Sequence, residues 1–417
     1  MTFESTARMV IERCHKLATF SEDRGRIRRT FLSQPMWECH QEMTGWVNRL
    51  GIEARIDSVG NWRAVYPGEA VDAPRLLIGS HLDTVPNAGA YDGVLGVVLA
   101  VALLERLGGR QLPFAIEAVG FSEEEGVRFG VPFIGSRALV GRVSEELLSH
   151  KDPTGITVRQ AIEDFGLDPR RVSAAGVRSD TLGYIEFHIE QGPVLDQMNR
   201  PLGVVEAIAG QSRLEVIFRG GANHAGTTPM NMRHDAVAAA AEWITAVETE
   251  AQRTPGLVAT VGSVTAKPGT VNVIASEARA TLDIRHGTDA LRASAVEKLM
   301  RAAGEIGGKR GVSARHAVMM DQAAVAMDPA LTHEAEEAIR RAGCEPHRMI
   351  SGAGHDAMVL AGRVPTAMIF LRTPGGISHD PAEAVRLEDV AKAVEAGSLL
   401  LEQLAVLPAR QRRTHLA

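Results

Sequence analysis

Cysteine is scarce in this chain: Cys14, Cys39 and Cys344 are the only ones among 417 residues. They stand alone, without the paired spacing of a zinc knuckle or a disulfide framework. Isolated thiols fit a reducing compartment. The N-terminal stretch MTFESTARMVIERCHK has acids and no apolar signal core, so no secretory peptide is read there. Long apolar runs are also missing. The longest, Val94 to Leu104, falls short of the roughly 20 residues that cross a bilayer. A cytoplasmic protein with no membrane contact is the expectation. Excess positive charge is absent as well: the formal net charge is -6, which argues against a nucleic-acid partner. The arginine clusters Arg24, Arg26, Arg28, Arg29 and Arg410, Arg412, Arg413 read as solvated faces. Neither an internal repeat nor a low-complexity tract is present.

What remains is an ordinary globular composition, 45% hydrophobic and 23% charged, long enough for two domains with separate cores. Helical patterns at residues 2–20 and from Pro35 to Leu50 are followed by short strand-like runs, Glu53 to Asp57 and Trp62 to Val65. Two buried-strand runs, Arg75–Gly79 and Phe114–Phe121, flank a helix from Gly93 to Leu107. That alternation predicts a largely parallel sheet. Residues 211–327 change character: strand Leu214–Phe218, helix Asp235–Thr249, strands Leu257–Val264 and Ala278–Ile284, helix Asp289–Ile306, strand Val312–Val318. The order β-α-β-β-α-β is that of a ferredoxin-like unit. Alternation then resumes with a helix near 329–342, a strand at Met368–Leu371 and a helix from Leu387 to about Leu404. The expected fold class is α/β: a mostly parallel-sheet domain of residues 1–210 and 328–417, interrupted by an α+β insert at 211–327.

Five residues of metal-ligand type occur in order, each in a compact polar motif: His81 in GSHLDTV, Asp92 in AYDGV, Glu125 in SEEEG, His188 in FHIEQGP and His379 in GISHDP. Three imidazoles and two carboxylates suit a pair of borderline divalent ions. Two such ions activate water and polarise a carbonyl together, the equipment for cutting an amide. His81 ends a strand, and Asp83 two residues on can take its second ring N–H. A plain hydrogen-bonded His–Asp loop is the alternative. Asp92 precedes a helix and can span two ions with its two oxygens or simply cap that helix. The run Glu123–Glu125 terminates a buried strand, where two adjacent carboxylates can divide the work of ligand and general acid/base. His188 could equally be a satisfied core histidine, and His379, followed by Asp380 and Pro381, lies on an extended or turn segment.

Taken together, GSHLDTV, FHIEQGP, NHAGTTPM, SGAGHDA and GISHDPAE resemble the dinuclear metal amidohydrolases of the carbamoylase group: allantoate amidohydrolases, N-carbamoyl-L-amino-acid hydrolases and β-ureidopropionases. The resemblance spans nearly the whole chain. It implies a catalytic domain holding two divalent ions, zinc or manganese with cobalt or nickel as alternatives. The insert becomes a lid that also makes a homodimer.

Carried over by position, Asp92 bridges the ions, His81 and His188 hold one, and Glu125 and His379 hold the other. Glu124 becomes the general base that takes a proton from the attacking water and returns it to the leaving nitrogen. Which of Glu123, Glu124 and Glu125 is base and which is ligand depends on the alignment of EEGVRF. His224 in NHAGTTPM is implied as the oxyanion-stabilising histidine delivered from the lid, of the partner subunit or else of the same chain, a contribution of about 3–4 kcal/mol in such sites. Asn272 and Arg285 are implied to hold the substrate carboxylate, the latter through its two-pronged guanidinium. For Arg285 a salt bridge to Asp283 is the plain alternative. Gln191 matches a ureido-contacting position, and Gly354, His355 and Asp356 line the pocket. The implied reaction is hydrolysis of the ureido C–N bond of a small carboxylate, allantoate first, an N-carbamoyl-L-amino acid or N-carbamoyl-β-alanine next. An aminoacylase or peptidase is the more distant enzyme reading, and a non-catalytic metal-dependent binding protein the reading from another class.

Overall fold

The structure is a computed structural model that describes residues 1–407; Arg410, Arg412 and Arg413 lie outside the described residues. The chain forms two units. One comprises Met1–Glu206, Met327–Met349 and the chain from Ala353 on; the other comprises Ala207–Ala326 with Ile350–Gly352.

The strands in chain order begin with β1 (Ala54–Ile56), β2 (Trp62–Tyr66), β3 (Arg75–His81), β4 (Ala115–Phe121), β5 (Thr181–Ile189) and β6 (Leu202–Ile208). There follow β7 (Gly210–Arg219), β8 (Val258–Thr260), β9 (Val264–Lys267), β10 (Glu277–His286), β11 (Ser313–Gln322) and β12 (Val325–Ala326). The last two are β13 (Arg348–Ser351) and β14 (Thr366–Leu371).

In the first unit the sheet order is β1-β2-β4-β3-β5-β14-β6, with β13 beside β6. The four central strands β4, β3, β5 and β14 run parallel, as their continuous apolar sequence requires of strands covered on both faces. The margins are antiparallel: β2 on β4 and β6 on β14. One face packs against helices Phe3–Ala18, Val94–Leu107, Pro329–Arg341 and Leu387–Val406. The helix Val94–Leu107 is buried all round from Val94 to Leu104, which is why it lacks a polar stripe. It begins at Gly93 and stops at Gly108, whose φ of 58° ends the helix in the left-handed region.

A second cluster of short helices, Ile134–Leu139, Glu145–Ser149 and Val158–Asp164, forms around Phe31, Phe129 and Ile162. These helices are too short to show a clear period and are not legible in the sequence.

Arg29, read from sequence as part of a solvated face, is buried. Its guanidinium donates to the carbonyls of Leu82 at 2.7 Å, Leu17 at 2.9 Å and Phe20 at 3.1 Å. Three main-chain acceptors around the guanidinium make a buried cation tolerable there.

The second unit is a five-stranded antiparallel sheet of order β11-β7-β10-β8, with β9 also on β10. Helices Ala236–Arg253 and Asp289–Arg310 cover one face through Trp243, Leu299 and Ala303. Along β10, buried and half-buried residues alternate, so the other face carries Arg279, Asp283 and Arg285. The expected strand Leu257–Val264 is interrupted. β8 pairs with β10 opposite Asp283–Arg285 and β9 opposite Glu277–Ala280, and Gly262 lies in the break.

Candidate metal centre

Parallel register brings the motifs to one edge. His81 lies opposite Phe121 in the β3–β4 ladder, and Phe370 lies opposite His188 in the β14–β5 ladder. The acids after β4 and the histidines of β3 and β5 therefore emerge together at the carboxyl ends of parallel strands, where open α/β sheets place their sites.

Asp92 is the hub. Its Oδ1 lies 3.2 Å from His188 Nε2 and 3.6 Å from His81 Nε2. Its Oδ2 lies 3.1 Å from His379 Nε2, which is itself 3.5 Å from Glu125 Oε1. Three overlapping ligand groups result: His81, Asp92 and His188; Asp92, Glu125 and His379; His81, Glu124 and Glu125. All five sequence-predicted ligands are thus brought together, with Glu124 beside them.

The donor chemistry fits cations. His188 Nδ1 lies 2.8 Å from the Ile189 carbonyl and His81 Nδ1 lies 3.0 Å from the Asp83 carbonyl. A carbonyl accepts only, so each Nδ1 carries the proton and each Nε2 presents a lone pair. Those Nε2 atoms are 3.4 Å apart and both face Asp92 Oδ1, a buried oxygen without a hydrogen-bond partner among the described residues. Lone pairs converging in this way require a positive charge between them. Protons and cations compete for the same positions. Against the effect of burial, the adjoining imidazoles of His188, His379 and His81 hold Asp92 well below the usual carboxylate range. The neighbouring carboxylates raise His81 and His188 despite their burial.

The three acids differ in surroundings. Glu123 and Glu124 are buried, and Glu125 is partly so. Burial is the main cause that pushes Glu124 well up, with His81 opposing it and Glu125 and Asp356 adding to it. Burial likewise raises Glu125 to about 7, against His81 and reinforced by Asp92. A cation would reverse this for the carboxylates that ligate it. The His379 side chain is 48% exposed while His188 is 1% exposed, so one ligand group is closed and the other is open to solvent.

Asp83 acts differently from the expectation. The His81 ring meets its main-chain carbonyl, and its carboxylate stands farther off, at 3.5 Å. That carboxylate instead accepts the N–H groups of Glu124 at 2.9 Å and Glu125 at 3.0 Å. Two backbone donors outcompete one imidazole for its oxygens. Asp92 does not cap the following helix through its side chain.

Gln191 Nε2 donates to Asp92 Oδ2 at 2.8 Å. Both Gln191 and His379 hold positive φ, 59° and 57°, conformations that cost a non-glycine residue energy and concentrate at functional sites. Gly93, with φ 65°, is obligatory: a Cβ there would lie 2.4 Å from the His81 ring. His355 is buried and stacks edge-on against His188, centroids 4.4 Å apart; burial keeps it neutral. Gly354 and Asp356 flank it, and Asp356 opens the helix Asp356–Leu360.

Sequence reasoning missed Glu383. Its Oε1 accepts the N–H groups of Tyr91 at 2.9 Å and Asp92 at 3.0 Å, and Ser378 donates to both Asp92 and Glu383. The signal was an acid four residues beyond His379, in the same loop.

His224, Asn272 and Arg285 belong to the second unit. His224 is exposed, and its Nδ1 accepts the Gly226 N–H at 3.1 Å. The ring proton therefore sits on Nε2 as a donor. Asn272 lies alongside, its carbonyl accepting the Ala225 N–H at 2.9 Å. Arg285 forms the two-point ion pair with Asp283, at 2.8 and 3.1 Å, and donates from Nη1 to the Gly352 carbonyl at 2.7 Å. One N–H on each terminal nitrogen remains among the described residues.

A discontinuous α/β unit with clustered His, Asp and Glu ligands on strand ends is the architecture of a metallohydrolase. The family model for Peptidase family M20/M25/M40 matches residues 77–403, and the chain belongs to that family. Allantoate deiminase 2 of Glycine max is 36% identical over 95% of this chain and 89% of its own length. N-carbamoyl-L-amino acid amidohydrolase of Geobacillus stearothermophilus is 37% identical over 87% and 90%. The crystal structure of a hydantoinase/carbamoylase family amidase from Burkholderia multivorans superimposes with a TM-score of 0.90 at 29% identity, covering 97% of this chain and 98% of that one.

Proposed function

We propose that the protein hydrolyses the terminal ureido C–N bond of a small carboxylate, with allantoate as the leading substrate and N-carbamoyl-L-amino acids or N-carbamoyl-β-alanine next. The observation that carries this is the division of Asp92, one oxygen toward His81 and His188 and the other toward His379. It supports a pair of divalent ions, zinc or manganese, the first with His81 and His188, the second with Glu125 and His379. When bound, such ions polarise the scissile carbonyl and make water a nucleophile at neutral pH. Relatives that carry allantoate and N-carbamoyl names at near-equal identity direct the reading to ureido compounds.

Glu124 takes a proton from the attacking water and delivers it to the leaving nitrogen. Its adjacency to Glu125 keeps it within reach of the same reacting centre. Water oxygen bonds to the ureido carbon, the terminal C–N bond breaks, and ammonia leaves. The remaining carbamate then loses carbon dioxide. Gln191, already on Asp92 Oδ2, orients the ureido group. Gly354 and His355 line the pocket. By the resemblance, His224 is assigned to the developing oxyanion through its Nε2–H, from this chain or from the partner subunit, and Asn272 and Arg285 to the substrate carboxylate. We read the protein as a homodimer on the edge strand β11, where Val318 and Met319 are 61% and 68% exposed. The buried free thiols support a cytoplasmic setting, and no helix among the described residues is long and apolar enough to cross a membrane.

Ammonia release by zinc- or manganese-loaded protein, compared across allantoate, N-carbamoyl-L-amino acids and N-carbamoyl-β-alanine, tests the reading. Turnover of one of these at rates abolished by Glu124→Gln, with both ions retained, is the expected result. Inertness toward all of them, together with cleavage of N-acyl amino acids, would replace it with the aminoacylase reading.

A further inference from the structure

Phe133 carries a φ of 68° and ψ of 26°, a left-handed backbone that an aromatic residue rarely adopts. Its surroundings force it. The helix Ile134–Leu139 starts hard against the end of β4: a Cβ on Gly135 would lie 2.4 Å from Asn61 Oδ1 and 3.0 Å from Ser122 N. Asn61 is itself fixed, donating to Asp57 at 2.9 Å and to the Gly135 carbonyl at 3.1 Å. The chain arriving from Pro132 must therefore turn within one residue.

Two contacts use that turn. The Phe133 N–H donates to the carbonyl of Glu124 at 3.2 Å. The far edge of its ring bears on the opposite loop, where a Cβ on Gly354 would meet Cζ at 3.0 Å. Gly354 precedes His355, whose ring packs on His188. One strained residue thus touches both the loop that carries Glu124 and the loop that carries His355. Neither loop is held to the other by a β-ladder at that point.

Resting on the hydrolase reading above, we infer that Phe133 is a positioning residue: it fixes the separation of the Glu124 and His355 loops through its N–H on one side and its ring on the other. Strain of this kind persists where the surroundings over-determine it, and it belongs to sites where placement matters. A displacement of about 1 Å at a reacting group can cost about a hundredfold in rate.

The test uses the metal-loaded full chain and the ureido substrate it turns over fastest. Phe133→Gly relaxes the backbone and removes the ring, so it folds readily. Its kcat should fall about 10- to 100-fold with KM and metal content unchanged, and Phe133→Leu should recover most of the loss. Gly354→Ala should lower kcat in the wild-type background yet add nothing to Phe133→Gly, because the ring its Cβ would strike is gone; such non-additivity marks direct contact. A Phe133→Gly variant as active as wild type, or losses that simply multiply in the double variant, would overturn the role alone. A wild type inert on every ureido compound would overturn the hydrolase reading, and the role with it.

Discussion

Asp83 holds the backbone of Glu124: its Oδ1 accepts the Glu124 N–H at 2.9 Å, and its Oδ2 accepts the next N–H, that of Glu125, at 3.0 Å. A single buried carboxylate thereby sets the direction of both acids after β4, while its own carbonyl fixes the ring of His81. Replacing one oxygen by an amide leaves one of those N–H groups facing another donor. Asp83→Asn should weaken metal binding about 10- to 100-fold, the usual effect of losing a supporting hydrogen bond at a metal site, with the far-ultraviolet circular dichroism unchanged. Competition with a calibrated chelator measures it.

Gly93→Ala tests the approach of backbone to ligand. The added Cβ would stand 2.4 Å from the His81 ring at a φ of 65°, so either the helix start or the imidazole must move. The imidazole is the softer element. The expected outcome is loss of one bound ion, counted by elemental analysis after dialysis, with the second retained.

His40 should make stability depend on pH. It is buried edge-on to Phe165, and neither ring nitrogen has a hydrogen-bond partner among the described residues. Burial, helped by the charge of Arg29, pushes its pKa down to about 3. An unfolded histidine titrates near 6.5, so the unfolded chain binds the proton first and stability is lost as pH falls from about 6.5 toward 3. The loss is about 1.4 kcal/mol per pH unit. Between pH 7 and pH 5 the wild type should lose about 2 kcal/mol more than His40→Phe. Urea unfolding of the two proteins at both pH values reads the difference directly.

The ion pair of Arg372 and Asp389 is closed on both sides. Nε and Nη2 donate to the carboxylate at 2.7 and 2.6 Å, Nη1 donates to Asn199 at 2.7 Å, and the side chains are 5% and 1% exposed. Arg372→Met leaves a buried carboxylate uncompensated and should destabilise by about 3–5 kcal/mol. Adding Asp389→Leu should recover most of that, because the pair's desolvation cost disappears with its attraction. Denaturant midpoints for the single and double variants decide it.

Much of the site was legible because its chemistry is local. His81, Asp92, His188 and His379 each sit in a short motif whose residue types point to metal binding, and each is found in the cluster. Elements with strong periodicity, such as the helix Val94–Leu107 and the strands Arg75–His81 and Ala115–Phe121, lie close to their expected bounds. What went unread depends on neighbours distant in sequence. Glu383 reaches Asp92 across 291 residues. Arg29 looked like surface because three main-chain carbonyls that receive it cannot be seen in a string of letters. The turn of Asp83 from His81 to the Glu124–Glu125 backbone was equally hidden, since backbone donors have no sequence signature.

The sequence by itself determined which atoms could bind metal, the order in which they occur, and the alternation that makes a parallel sheet interrupted by an antiparallel insert. These follow from side-chain chemistry and hydrophobic period, both written locally. Tertiary structure alone decided that Asp92 faces both ligand groups, that one group is closed and the other open, and that Phe133 is driven into a left-handed turn. Those properties arise from the register of β3, β4, β5 and β14 and from close packing at Gly93, Gly135 and Gly354, where a distance of an ångström separates contact from collision.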